Sequence, residues 1–119
     1  MIKKCVLVSG PTITKDTYLI DGLKKAASVI KCSNLKSIEK LLAQNNVDLI
    51  LMDISKNNHS DISIIKRLLS KNKDLKIVLI NGNSDQEVIA KAFRFGIRDA
   101  FRMPYNQELI VERISYLIK

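Results

Sequence analysis

The sequence predicts a single doubly wound α/β domain, a (βα)5 unit spanning residues 1–119, and three observations lead there. Five short apolar runs alternate with longer amphipathic segments from end to end. The central run, Asp48 to Asp53, is apolar throughout its interior, as in a parallel strand covered on both faces. A chain of 119 residues, 46% hydrophobic and 27% charged, has enough apolar material for one core and buries roughly two-thirds of its unfolded surface.

Lys4 to Val8 opens as a buried strand, followed by a helix over Lys15 to Ala27 with Leu19, Ile20, Leu23, Ala26 and Ala27 on one face. Thr14 is the expected cap of that helix. Ser28 to Cys32 is the second strand, and Leu35 to Gln44 places Leu35, Ile38, Leu41 and Leu42 at helical spacing. After the central strand a polar stretch, Ser55 to Ser60, leads to a helix whose Ile62, Ile65, Leu68 and Leu69 repeat at three and four. Lys76 to Ile80 is the fourth strand, halted at Asn81-Gly82-Asn83. Ser84 caps the next helix, which bears Val88, Ile89, Ala92 and Phe93 and stops at Gly96. Asp99 to Arg102 is a brief fifth strand cut by Pro104, and Asn106 to Ile118 closes as a helix with Ile110, Ile114, Leu117 and Ile118 inward.

Composition removes several function classes. No apolar run approaches the ~18 residues of a membrane span, and the opening lacks a signal-peptide core. Cys5 and Cys32 form neither a disulfide framework nor a zinc set, so a reducing cytoplasm is the expected setting and both read as small core residues. The single histidine, His59, falls in a polar stretch with no ligand partner at metal spacing. No Ser/His/Asp arrangement or dinucleotide glycine pattern is present. The net charge of +8 favours an acidic partner, but the basic residues are scattered in runs no longer than two, the pattern of a solvated surface.

In open α/β sheets the functional crevice lies at the carboxyl ends of the strands. Here that rule selects Ser9-Gly10, Asp53-Ile54-Ser55, Asn81-Gly82 and Met103-Pro104. Asp53 stands out because it ends the most hydrophobic strand, where an ionisable group must be solvated or paired.

Leu49-Ile50-Leu51-Met52-Asp53-Ile54 resembles the phosphoacceptor strand of the CheY-like response regulator receiver domains, with Asp53 at the aspartate that takes a phosphoryl group from a histidine kinase. Phe95-Gly96-Ile97-Arg98-Asp99-Ala100-Phe101-Arg102-Met103-Pro104-Tyr105 resembles the family's segment from fourth helix to fifth strand, with Gly96, Asp99, Pro104 and Tyr105 in register. The resemblance covers the whole chain. It implies strand order 2-1-3-4-5, no enzymatic activity on metabolites, a cis Met103–Pro104 bond, and signalling partners such as a histidine kinase or an output domain. DNA would be reached only through an output domain outside these residues.

The departures are as informative. Where the family has an acidic pair for Mg²⁺ this chain has Ser9-Gly10, where it has a lysine this chain has Met103, and a hydroxyl residue gives way to Asn81. The fifth-strand aromatic gives way to Ala100. Mg²⁺ wants several oxygen ligands in near-octahedral geometry, so no cofactor is expected and an atypical receiver is the preferred reading. A receiver phosphorylated weakly at Asp53 is one alternative. A flavodoxin-like phosphate or small-ligand binder using Ser9–Lys15 is another. Lys91, Arg94, Asp99, Glu108, Glu112 and Arg113 are the expected interaction face, which in one branch of the family pairs two receivers as a symmetric dimer.

Overall fold

The computed structural model describes residues 3–32, 34–54, 59–81 and 86–119. Five strands, β1 (Cys5–Ser9), β2 (Ser28–Cys32), β3 (Leu49–Ile54), β4 (Lys76–Asn81) and β5 (Asp99–Arg102), form one parallel sheet in the order β2-β1-β3-β4-β5. Five helices intervene: α1 (Thr17–Lys24), α2 (Ile38–Gln44), α3 (His59–Lys71), α4 (Gln86–Phe95) and α5 (Gln107–Leu117).

Alternation of side chains along buried strands builds two cores. Leu7, Ile50, Met52, Ile77 and Leu79 face one way and pack with Ile38 of α2, Ile65 and Leu68 of α3, and Val88 and Ala92 of α4. Val6, Val8, Leu49, Leu51, Val78 and Ile80 face the other way, onto Leu19, Ile20 and Leu23 of α1 and Ile110 and Ile114 of α5. No helix among the described residues is long and apolar enough to cross a membrane.

The expected elements are present with shifted ends. The first helix begins two residues later than its apolar spacing implies, because Ile13–Lys15 forms a separate 3-10 turn. Asp16, not Thr14, caps α1 by accepting a hydrogen bond from the Leu19 amide at 3.1 Å. The Thr14 hydroxyl instead donates to the Gly10 carbonyl at 2.6 Å. Leu35–Ser37 is likewise a 3-10 turn ahead of α2. His59 opens α3 rather than lying in a loop, while Ser84 falls outside the described residues. Gly96 ends α4 as expected: its φ of +111° is open to glycine, and the amides of Gly96 and Ile97 both return to the Ala92 carbonyl.

Cys5 and Cys32 sit on neighbouring strands but at opposite ends, Cys5 paired with Ser28 and Cys32 with Ser9. Burial and the charge of Asp48 push the Cys5 thiol up, away from a reactive thiolate.

Helices α1 and α5 approach closely at Gly22, where a β-carbon would lie 2.9 Å from Val111 Cγ2. Gly22→Leu should therefore lower stability by about 1–3 kcal/mol through overpacking, and adding Val111→Ala should return at least half of the loss. Urea unfolding of the two single variants and the double variant measures both terms.

Candidate functional site

The chain leaves β1 toward β2 on one side and returns to β3 on the other, so a crevice opens where the ends of β1 and β3 diverge. The ladder brings the expected residues to its rim. Ser9 pairs with Met52, Asp53 with Ile80, and Ile54 with Asn81. Asn81 pairs with Arg102, and its carbonyl accepts the Met103 amide at 3.0 Å. The Met103–Pro104 bond is cis. Ser55 and Gly82 lie outside the described residues.

Asp53 is only 5% exposed, and neither carboxylate oxygen has a hydrogen-bond partner. Burial raises its pKa above the ordinary aspartate value. The Thr12 hydroxyl and amide offset this in part, from positions that do not meet hydrogen-bond geometry. The hydroxyl of Ser9, at the end of β1, is also buried without a partner.

Gly10 explains how this pocket is closed. Its φ is +133°, and a β-carbon built on it would lie 2.5 Å from the Asp53 β-carbon and 3.4 Å from the carboxyl carbon. The backbone of residue 10 therefore rests directly on the Asp53 side chain, held there by its amide bonding to the Cys32 carbonyl at 3.1 Å. In the sequence Gly10 reads as a missing acid. In the structure it is a contact that no larger residue can make.

Asp16 and Gln107, which the sequence did not single out, complete the rim with Tyr105. The Tyr105 hydroxyl donates to Asp16 Oδ2 at 2.6 Å, with the Gln107 side-chain amide reaching the same oxygen at 3.4 Å. Burial, then the bond to Asp16, then the charges of Asp16 and Asp53 raise the Tyr105 pKa, so the phenol keeps its proton and remains a donor. The available signal was the pairing of a helix-capping aspartate with the tyrosine that follows the last proline, but nothing local links residues 89 apart.

Among the described residues no group of three or more His, Cys, Asp or Glu side chains converges as a metal site would require. The Ser9–Lys15 loop is poorly made for a phosphate. Its Thr14 hydroxyl is engaged by Gly10, and the unpartnered Asp53 carboxylate lies beneath it.

The expected interaction residues divide between two surfaces. Lys91 and Arg94 are exposed on α4. Asp99 and Arg113 pair with each other inside the chain at 3.0 Å, and the Arg113 guanidinium sits 5.4 Å from the Tyr116 ring centroid. Asp99, Glu112 and Arg113 line a groove of about 370 Å³ with Phe101, Leu109 and Tyr116. Glu108 turns to α1, where it accepts a hydrogen bond from Tyr18 at 2.9 Å.

Gly10→Ala is expected to lower stability by about 2–5 kcal/mol, combining backbone strain at positive φ with overlap on Asp53; chemical denaturation measures it. Asp53 has the opposite sign. The folded chain holds its proton to higher pH than the unfolded chain does, so this residue's contribution to stability falls as pH rises through the folded pKa. Asp53→Asn should match the wild type in acid and exceed it at neutral pH by about 1 kcal/mol. Urea midpoints of the two proteins across that pH range measure the difference.

Comparison with known proteins agrees with this geometry. The family described as the response regulator receiver domain matches residues 16–115. Chemotaxis protein CheY of Treponema pallidum is 29% identical over 83 residues, which are 69% of this chain and 58% of that protein. Transcriptional regulatory protein MalR of Bacillus subtilis is 28% identical over 83 residues, 70% of this chain and 35% of the regulator. The matched stretch thus spans little more than half of one curated relative and about a third of the other. In structure, a response regulator from Thermotoga maritima superposes with a TM-score of 0.85 at 21% identity, covering 98% of both chains. An orphan response regulator of H. pylori gives the same score and identity over 98% of this chain and 97% of its own. With the family match running from the cap of α1 into the last turns of α5, the chain belongs to the response regulator receiver domain family.

Proposed function

We infer that this chain is an atypical receiver, a protein-interaction module of two-component signalling rather than an enzyme, and that Mg²⁺-dependent phosphorylation of Asp53 is not its principal switch. The observation that carries this is the backbone of Gly10 resting on the Asp53 side chain. The position that would supply a second carboxylate is closed to any side chain. Mg²⁺ requires near-octahedral oxygen coordination, and one buried carboxylate does not fit it. Met103 adds no charge where a cation would stabilise a transferring phosphoryl group.

Receiver domains work through contact with signalling partners such as kinases or output domains. For this chain the α4–β5–α5 face is the surface we assign to such a partner, including a second receiver, in a cytoplasmic setting. Phe93, Leu109 and Tyr116 are 46%, 57% and 63% exposed there, between Lys91 and Arg94 on one side and Glu112 with the Asp99–Arg113 pair on the other. Exposed apolar side chains within a charged rim are what a modest protein interface needs.

An amide NMR titration with Mg²⁺ and then beryllofluoride, on wild type and Asp53→Asn, tests the reading. The expected result is no saturable shift at Ser9, Asp53 or Asn81 at millimolar Mg²⁺. Shifts that spread to Ala100 and vanish in Asp53→Asn would establish a working phosphoswitch and overturn it.

A further inference from the structure

All five strands run the same way, so their N-terminal ends share one edge of the domain, and the returning helices bring their C-terminal ends to that edge too. Lys3 and Lys4 enter β1, Lys76 opens β4 and Arg98 precedes β5. At the helix ends, Lys24 and Lys25 close α1, and Lys71 and Lys73 close α3. Arg94 and Lys119 stand at the ends of α4 and α5. Ten of the twenty Lys and Arg residues therefore lie at this edge, against two acids at the same element ends, Asp48 and Asp74, and Glu39, which reaches Lys71. The excess of seven is most of the chain's +8. Residues that are isolated along the sequence are gathered by the fold.

This edge is free to bind. Every one of the ten is exposed except Lys76, which is partly buried. Among the described residues only Lys71 has an ion-pair partner, Glu39 at 3.5 Å. Of the two acids, Asp48 is taken up by the Cys5 amide at 2.8 Å. Cations complementing helix dipoles account for the positions at helix C-termini. They do not account for Lys3, Lys4, Lys76 and Arg98, which stand at or just before the starts of strands, where no comparable dipole exists.

We propose that this basic edge, opposite the Asp53 crevice, binds the phosphate backbone of a duplex nucleic acid without sequence preference. Eight of the ten residues are lysines. Lysine suits phosphate as a point charge and is depleted at protein–protein interfaces, so a protein partner fits less well. A bilayer fits less well too, since membrane-surface binding draws much of its strength from inserted apolar side chains. The exposed aromatics Phe93 and Tyr116 line grooves beside β5. The groove at this edge is lined mainly by polar residues, Asn45, Asn46, Asn72 and Lys73 with Asp48 and Asp74, over Leu42, Val47 and Leu75. The proposal departs from the expectation that DNA is reached only through an output domain, and it is independent of the chemistry at Asp53.

Fluorescence anisotropy of the full chain with a short labelled DNA duplex of arbitrary sequence tests it. With about four phosphates engaged, Kd should rise about 100-fold between about 50 and about 200 mM salt. Reversing charge at this edge (Lys4→Glu, Lys24→Glu, Lys73→Glu, Lys119→Glu) should weaken binding by about 30-fold or more at low salt. The same change of charge at the opposite edge (Lys15→Glu, Lys31→Glu, Lys36→Glu, Arg102→Glu) should weaken it by less than about threefold, and Asp53→Asn should leave it unchanged. Circular dichroism melts establish that both quadruple variants fold, and the salt dependence of the wild type needs no variant. Absence of binding at low salt, equal losses for the two quadruple variants, or tighter retention by phosphatidylserine vesicles than by the duplex would each overturn the proposal.

Discussion

No residue of β3 faces solvent: all six from Leu49 to Ile54 are buried, with β1 on one side and β4 on the other. A strand of this kind cannot be stable unless helices cover the sheet from both directions, and that requirement dictates the crossings between layers. It also explains why the alternating residues of β1, β3 and β4 sort into two separate cores. Where such a strand ends, its last side chains must leave the apolar layer. Asp53 does so only partly, remaining 95% covered because the loop after β1 folds back across it. The crevice and its closure are thus both products of one buried strand.

Much of this was legible from the sequence because apolar periodicity reports burial directly. β2 begins and ends where its run of residues indicates, and Gly96 terminates α4 for the conformational reason its residue type implies. What was not legible was anything decided by distant partners. Thr14 and Asp16 are both good caps two residues apart, and Asp16 takes the role while also receiving Tyr105 from across the domain. Gly10 could be read only as an absence, since a close approach between backbone and side chain leaves no trace in residue types. Glu108 shared a helix with Glu112 and Arg113, yet its bond to Tyr18 sets it on another surface.

The charge pattern taught the reverse lesson. Basic residues spaced about one strand–helix unit apart look dispersed along the chain, and an absence of runs ordinarily signals a solvated surface. In a fold that returns to the same edge after every unit, that spacing concentrates charge. Sequence clustering is a sound guide within one helix and a poor one for an architecture with a regular return.

The bond from Tyr105 to Asp16 has a consequence for how this domain is made. It joins positions 89 residues apart, and the neighbouring bond from Tyr18 to Glu108 joins positions 90 apart. During synthesis α1 emerges before α5, the helix it packs against, which follows every other element of the domain. The part of its apolar seat that α5 supplies and the second tether on its capping aspartate are missing until then. The domain on the ribosome therefore carries an unfinished first layer until α5 has been made, and locks that layer only then.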